Sequence, residues 1–308
     1  MTPVQGSNNL GVVNRQLLDE IVMKTYAAPF DDPYMASVRD EMVMRQKSTD
    51  TGAHTTANFK GPGLFEARGE SQKVKEDSIE TAQYKTTVIN TFAEDVPLSM
   101  EYFEDEKFDT VAELLRQLGE MARVTSEIKG MSIYRDNLAT NSGTSLLSAS
   151  HTTISGDTVD NLMAGALTPD TLNEGITSLN EQPNQAGVVV PRMPKCLLVT
   201  SLGFKNAVEI ADSQLLANTA DNNINVILSR YGITVKRSPY LGPQFGGNND
   251  NWWLLGQFHT VSRIDRRGLV TDIVEPKFTD GLNYVYRANY RENFTVDSYE
   301  NVVGYHTA

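Results

Sequence analysis

The sequence predicts an α+β fold, and three observations predict it. An apolar stripe at helical spacing runs from Thr110 for about 28 residues, a rod on the order of 40 Å at about 1.5 Å per residue. Short strand-like runs such as "KCLLVTS" and "WWLLGQF" are bounded by turn residues. These runs alternate with shorter helical segments, and no internal repeat organises them.

Each element follows from its local pattern. Residues 10–28 place Leu17, Leu18, Ile21, Val22 and Thr25 at helical spacing, which predicts a short amphipathic helix. Residues 45–60 are small, polar and poor in hydrophobes and read as an extended arm. A Gly-containing excursion follows and returns through a strand over 83–92, where "QYKTTVINTF" alternates. The long helix is expected over 110–139. Thr110 and Glu113 are spaced as a capping box, and Val111, Leu114, Leu115, Leu118, Met121, Ala122, Thr125, Ile128 and Leu138 continue the stripe. Gly119 and Gly130 weaken it without ending it, and "TNSGTS" ends it. Thr168-Pro169 starts the next helix, with Leu172, Ile176 and Leu179 on its buried face. "GVVVP" and "KCLLVTS" read as strands. "LGFKNAVEIADS" reads as a helix packed through Phe204, Ala207, Val208 and Ala211. After an Asn-rich loop, "ITVKRSPY" and "WWLLGQF" read as strands. The C-terminal third holds short strands broken at "RRG" and "TDG".

Composition narrows the function classes. A chain of 308 residues with 40 % hydrophobic content can bury a full core. A net charge of −12 opposes non-specific binding to nucleic acid or an anionic membrane. The single cysteine, Cys196, leaves no internal disulfide to form and predicts a small buried hydrophobe in a reducing compartment. The stretch "MTPVQGSNNLGVVN" has no basic segment followed by an apolar core, which predicts no secretory signal. No apolar run approaches the roughly 20 residues of a membrane span. A soluble protein is expected.

Motifs for chemistry are thin. "NFKGPGLFEARGE" crowds Gly61, Gly63 and Gly69 like a phosphate loop, but Glu70 and Ser71 follow where such a loop needs a Lys-Ser or Lys-Thr pair. His54, His151, His259 and His306 lie far apart, with no second His or Cys at metal-ligand spacing. His151 stands near Asp157 and Asp160 in a loop whose polar side chains are expected to cap their own backbone. "MEYFEDEKFD" is read as negative charge loaded on the approach to a helix N-terminus. No catalytic residue, cofactor site or metal site is predicted.

The order of parts carries more. The arm, the excursion and the long helix are followed by "SLLSASHTTISGDTVDNL", "GALTPDTLNEGITSLNEQ" and "PRMPKCLLVTSLGFKNAVEIADS". Then come "DNNIN" and "YGITVKRSPYL". Over residues 50–308 this resembles the major capsid proteins of tailed phages, most of all the Mu-type major head subunit family. Residues 1–50 and "GPQFGGNND" depart from it.

The resemblance implies the tailed-phage capsid fold, shared with encapsulins and the herpesvirus capsid floor. It implies an N-terminal helix and arm (1–53), an extended β-hairpin loop (54–96), a peripheral domain with its spine helix (97–185), an axial domain (186–280) and return strands (281–308). The extended loop would lie over a neighbouring subunit through Gly61, Gly63, Leu64, Phe65, Arg68 and Gly69. Leu215, Leu216, Ile224 and Val226 would meet their symmetry mates around a capsomer axis. The implied product is a non-enzymatic subunit that forms hexamers and pentamers and closes an icosahedral head around double-stranded DNA, without sequence-specific binding. Scaffold, portal and decoration proteins are the further partners, the bacterial host cytoplasm the place of assembly, and the virion the destination. An encapsulin-type compartment and a two-lobed enzyme stay open as alternatives.

Overall fold

Two four-stranded sheets share one long helix. The structure, a computed structural model, describes residues 8–70, 73–74, 76–77, 79–99, 108–212, 231–274 and 283–307. Its elements are α1 (Asn8–Ala27), β1 (Arg45–Ser48), β2 (Ala53–Lys60), β3 (Glu80–Val88), β4 (Asn90–Ser99) and α2 (Phe108–Arg135). They continue with β5 (His151–Thr152), β6 (Thr158–Val159), α3 (Pro169–Glu181), β7 (Pro194–Thr200), α4 (Phe204–Ala211) and β8 (Thr234–Ser238). The chain ends in β9 (Trp252–Gly256), β10 (Val261–Val274), β11 (Asn283–Val296) and β12 (Val302–Tyr305).

The first sheet has the order β1-β10-β11-β4, antiparallel except for the parallel β1–β10 edge. Leu18, Val22 and Tyr26 of α1 and Val111, Leu115 and Leu118 of α2 pack with Tyr286, Ala288 and Tyr290 of β11. The second sheet has the order β12-β9-β7-β8. It is buried on both faces, so Trp252–Gly256 reads as unbroken apolar burial instead of alternation. Leu172, Ile176, Leu179 and Ala207, from α3 and α4, cover Leu197, Val199, Trp252 and Leu254. On its other face, Cys196, Leu198 and Trp253 meet Met131 and Tyr134 of α2. The first half of α2 therefore belongs to one core and its second half to another.

That double duty explains where the sequence reading of α2 fails. Its buried stripe turns to Ser126, Glu127, Met131 and Tyr134, while Met121 is exposed and Thr125 caps the Met121 carbonyl at 2.7 Å. Thr110 lies inside the helix instead of capping it, and Glu113 pairs with Arg116 at 2.7 Å, so that capping box does not form. The helix ends at Arg135, not 139. Asn137 takes φ 47 and exchanges side-chain hydrogen bonds with the Leu147 backbone at 2.8 and 2.9 Å.

Other departures have similar causes. Leu17 is exposed, and Tyr26 completes the α1 stripe in its place. The strand expected over 83–92 is two strands, broken where the buried Ile89 donates its N–H to the Gly52 carbonyl at 2.9 Å. "GVVVP" forms one isolated bridge, Pro183 with Val189, and leaves Val189 and Val190 exposed. "RRG" is not a break: β10 runs through it with register shifts between Asp265 and Val270. "TDG", and "MEYFEDEKFD" apart from its last two residues, lie outside the described residues. The expectations for α3 and α4 hold, including a cap at Thr168, whose partner is Thr171.

Candidate functional site

The arm and the Gly-containing excursion form one antiparallel ladder. Ala53 pairs with Val88 at its root and Lys60 with Glu80 at its far end. Eight residues at about 3.3 Å each carry the tip roughly 25 Å from that root. A bulge opposite Ala57–Asn58 puts Gln83 at φ 62, and Asn58 donates to the Gln83 amide oxygen at 2.9 Å.

The root is tied to the body by polar contacts. Thr87 donates to the Thr295 hydroxyl at 3.1 Å, and Thr56 to Asn141 at 3.3 Å. Lys85 donates to the carbonyls of Ala139 and Val296, and burial lowers its pKa. From root to tip the ladder turns large apolar side chains outward. Phe59, Tyr84 and Val88 are exposed along it. At the tip Leu64 is 73 % and Phe65 fully exposed, with Val74 and Ile79 beside them.

Arg68 and Gly69 are exposed with them. Gly61 and Gly63 do not adopt the left-handed conformation that tight turning would require. The tip is a broad loop instead, and the Gly63 N–H is held by the Asp77 carboxylate at 2.8 Å. A Cβ on Gly63 would stand 3.2 Å from that carboxylate, so the glycine serves close approach. Sequence reasoning placed the apolar tip but missed Phe59, Tyr84 and Val88, whose signal is a β-alternation with hydrophobes on a strand lacking a second layer. Leu215, Leu216, Ile224 and Val226 lie outside the described residues, between Asp212 at the end of α4 and Tyr231.

The body offers one further apolar feature near α2. A cleft of about 600 Å³ opens between α2 and the β4–β11 face, lined by Phe92, Val96, Leu114, Met121 and Tyr290, with Glu94 at its edge.

The residues weighed for chemistry are structural. His151 is buried, with Nε2 3.2 Å from the Leu146 carbonyl and 3.1 Å from the Asn161 side-chain oxygen, and it stacks on Tyr299. The Asp157 N–H donates to the Thr153 hydroxyl at 2.9 Å, and Asp160 accepts from the Leu162 N–H, so this loop caps its own backbone. His306 meets the Arg135 carbonyl at 2.8 Å. Burial pushes the Cys196 thiol up to about 12, which leaves no thiolate for chemistry at neutral pH. Among the described residues, no group of three or more His, Cys, Asp or Glu is placed to hold a metal ion. No helix among them is long and apolar enough to cross a membrane.

A long helix is shared by two sheets, and an apolar-tipped ladder projects from them. The capsid of the mature bacteriophage PhiM1 matches with a TM-score of 0.57 at 10 % identity, covering 91 % of this chain and 90 % of that one. The capsid of cyanophage P-SCSP1u matches with 0.57 at 11 %, covering 92 % and 91 %. A virus-like particle from Pyrococcus furiosus matches with 0.55 at 9 %, covering 94 % and 98 %. At such identities the likeness is one of fold. No curated protein matches the chain. A family model described as phage capsid protein matches residues 83–303, more than two thirds of the chain. The chain belongs to the phage capsid protein family and is a structural major capsid protein of the phage head.

Proposed function

We propose that this chain is the major head subunit of a Mu-type tailed phage or prophage. It forms hexamers and pentamers and then an icosahedral shell around double-stranded DNA. The observation that carries the reading is the exposed pair Leu64 and Phe65 at the end of a ladder that has no core of its own. Covering both on a neighbouring subunit contributes roughly 3–5 kcal/mol per subunit before ordering costs. The apolar cleft beside α2 is a receiving surface of the right character. Mixed charges behind the tip, Arg68, Glu70 and Lys73 among them, add little energy but help set register.

The remaining assignments follow from the resemblance. Residues 54–88 act as the extended loop, the sheet of β1, β10, β11 and β4 with α2 as the peripheral domain, and the sheet of β12, β9, β7 and β8 as the axial domain. The implied bounds at 96 and 280 and the return of 281–308 are redrawn, because β4 and β10 belong to the first sheet and β12 to the second. A net charge of −12 lets packaged DNA slide instead of sticking, so the genome is enclosed without sequence-specific binding. Scaffold, portal and decoration proteins complete the head in the host cytoplasm, and no enzymatic activity is assigned. The family match favours a phage head over a cargo compartment.

The test replaces residues 61–70 by a short Gly-Ser linker. The unassembled subunit should keep its circular dichroism and melting temperature, while shells fail to form or lose stability in sedimentation and electron microscopy. A destabilised subunit whose surviving fraction assembles normally would reverse the assignment.

A further inference from the structure

We infer that Arg266, Arg267 and Arg291 form a phosphate-binding site on the first sheet, and that the phosphates it takes are those of the enclosed DNA. The inference rests on the shell reading above and adds the face of the subunit that meets the genome. β10 and β11 lose register at "RRG": Asp265 pairs with Glu292, but the next residue of β11, Arg291, pairs with Arg267. Arg266 is the extra residue of a bulge, so two arginines of β10 oppose one of β11. Like charges directly opposite one another destabilise a sheet. Three at one bulge mark a position whose benefit lies in an anion held between them.

The subunit supplies no such anion. Among the described residues none of the three arginines forms an ion pair, and the carboxylates around them are engaged elsewhere. Asp265 and Glu292 turn to Arg263, at 3.4 and 2.7 Å. On the other face of the sheet Asp95 holds Arg287 at 2.7 Å, with Asp272 opposite Arg287 in register. Asp297 holds Lys47 at 2.6 Å. Asp50, exposed in the turn between β1 and β2, pairs with none of the three.

The donors are placed for use. Arg291 Nε is buried without a hydrogen-bond partner. Arg267 is exposed and donates to the Asn289 side-chain oxygen. Arg266 lies against Gly52, where a Cβ would stand 3.4 Å from its guanidinium. β11 alternates here: Tyr290 and Glu292 are buried, while Asn289 and Arg291 point to the side of the sheet that α1 and α2 do not cover. The ladder root, tied to Thr295, stands at one end of that side.

Planar guanidinium groups match phosphate oxygens in pairs, which makes arginine the residue of choice for phosphate. The cluster stands on an open sheet face instead of in an enclosed pocket, which suits a phosphate delivered on a long chain. Contacts of this kind position a nucleic-acid backbone and carry no sequence information. The net charge of −12 keeps the attraction of one subunit weak, and repetition over a shell multiplies it. DNA is therefore held loosely.

The experiment measures binding of a random-sequence DNA duplex to the full-length, unassembled subunit by fluorescence anisotropy over a range of salt concentrations. Three phosphate contacts give a slope of about −2.7 in log K against log salt, and the double variant Arg267→Gln, Arg291→Gln should reduce it to about −0.9. Arg267→Lys with Arg291→Lys should keep the slope, as should Arg116→Gln, whose guanidinium sits on α2 with Glu113. The Gln double variant should melt at an equal or higher temperature, because like charges are removed. Its particles should form in normal number and release their DNA at a lower temperature than wild-type particles. An unchanged slope, a lower melting temperature, or no DNA binding by a wild type that forms shells overturns the inference alone. So does competition by inorganic phosphate at constant ionic strength, which would make this a site for a free anion. A folded Gln variant that forms no particles also overturns it, because the arginines would then hold a neighbouring subunit. A wild type that forms no shells overturns the shell reading, and the inference with it.

Discussion

The carboxylate of Glu127, in the middle of α2, accepts a hydrogen bond from the backbone N–H of Val38 at 2.8 Å and another from the Ser37 hydroxyl at 2.7 Å. Glu127 is buried, and burial raises its pKa despite those two bonds. Segment 36–44 is thereby pinned across the helix, and it delivers Ala36, Val38, Val43 and Met44 to the core shared with Trp253. Tyr134 adds a second tie one helical stretch on, donating to the Val43 carbonyl.

Glu127→Ala removes both acceptors and leaves the Val38 N–H buried without one. The expected loss is about 1–3 kcal/mol, read as a lower denaturant midpoint with an unchanged slope. Glu127→Gln keeps one acceptor but turns an NH₂ group towards a donor, so it should fall between Ala and the native protein. Equal midpoints for all three proteins would show that the segment is held by its apolar side chains alone.

The two glycines of α2 predict a reversal of the usual rule. Replacing glycine by alanine within a helix ordinarily stabilises by about 1 kcal/mol. At Gly130 the new Cβ would lie 2.2 Å from Val38 Cγ1, and at Gly119 it would lie 2.7 Å from the Val22 carbonyl oxygen. Both single variants should therefore lose about 1–3 kcal/mol through overpacking. The two contacts differ in kind. Val38→Ala should restore part of the loss in Gly130→Ala, because the opposing atom is a side chain. No side-chain change at position 22 should rescue Gly119→Ala, whose opposing atom is backbone. A stabilised Gly130→Ala variant would refute the packing assignment.

What the sequence disclosed divides along range. Helical spacing placed α1, α3 and α4 because their buried faces, such as Leu172, Ile176 and Leu179, recur locally. The exposed tip at Leu64 and Phe65 was legible for the same reason: two hydrophobes sat in a polar, Gly-containing stretch with no periodic partner. Pairings across long separations left no local mark. Glu127 carries no local sign of its burial, because its partners lie 89 and 90 residues away. The parallel pairing of β1 with β10 joins Arg45 to Ser262 and turns part of an apparent arm into a sheet edge.

A third prediction concerns Leu215 and Leu216. They lie outside the described residues, between Ala207, Ile210 and Ala211 of the second core and Tyr231, which packs against it. In the shell reading these leucines meet their symmetry mates around the capsomer axis. Changing both to Asp should preserve the secondary structure and melting of the unassembled subunit, since the core flanking the stretch is unaltered. Capsomers should disappear from sedimentation profiles, because burying charge at a repeated axial contact is costly. Normal capsomers from the double variant would remove the axial role from this stretch.

The last prediction is a pH dependence set by His259. Burial, with Arg45 contributing, lowers its pKa from 6.5 to about 4, against a smaller opposing effect of its bond to the Met42 carbonyl. The folded protein therefore keeps a neutral imidazole, with its proton on Nε2 facing that carbonyl. The unfolded chain takes up a proton near pH 6.5, whereas the native state resists it until about pH 4. In that window the unfolded state binds more protons, so stability rises with pH, and the benefit is complete above the unfolded value. As pH falls from about 6.5 to 4, this group should withdraw roughly 3 kcal/mol. Denaturant midpoints measured at several pH values for the native protein and His259→Gln give the contribution as a difference. The gap between the two curves should narrow towards acid and become constant above neutrality. Parallel stability curves for the two proteins would place the acid sensitivity elsewhere.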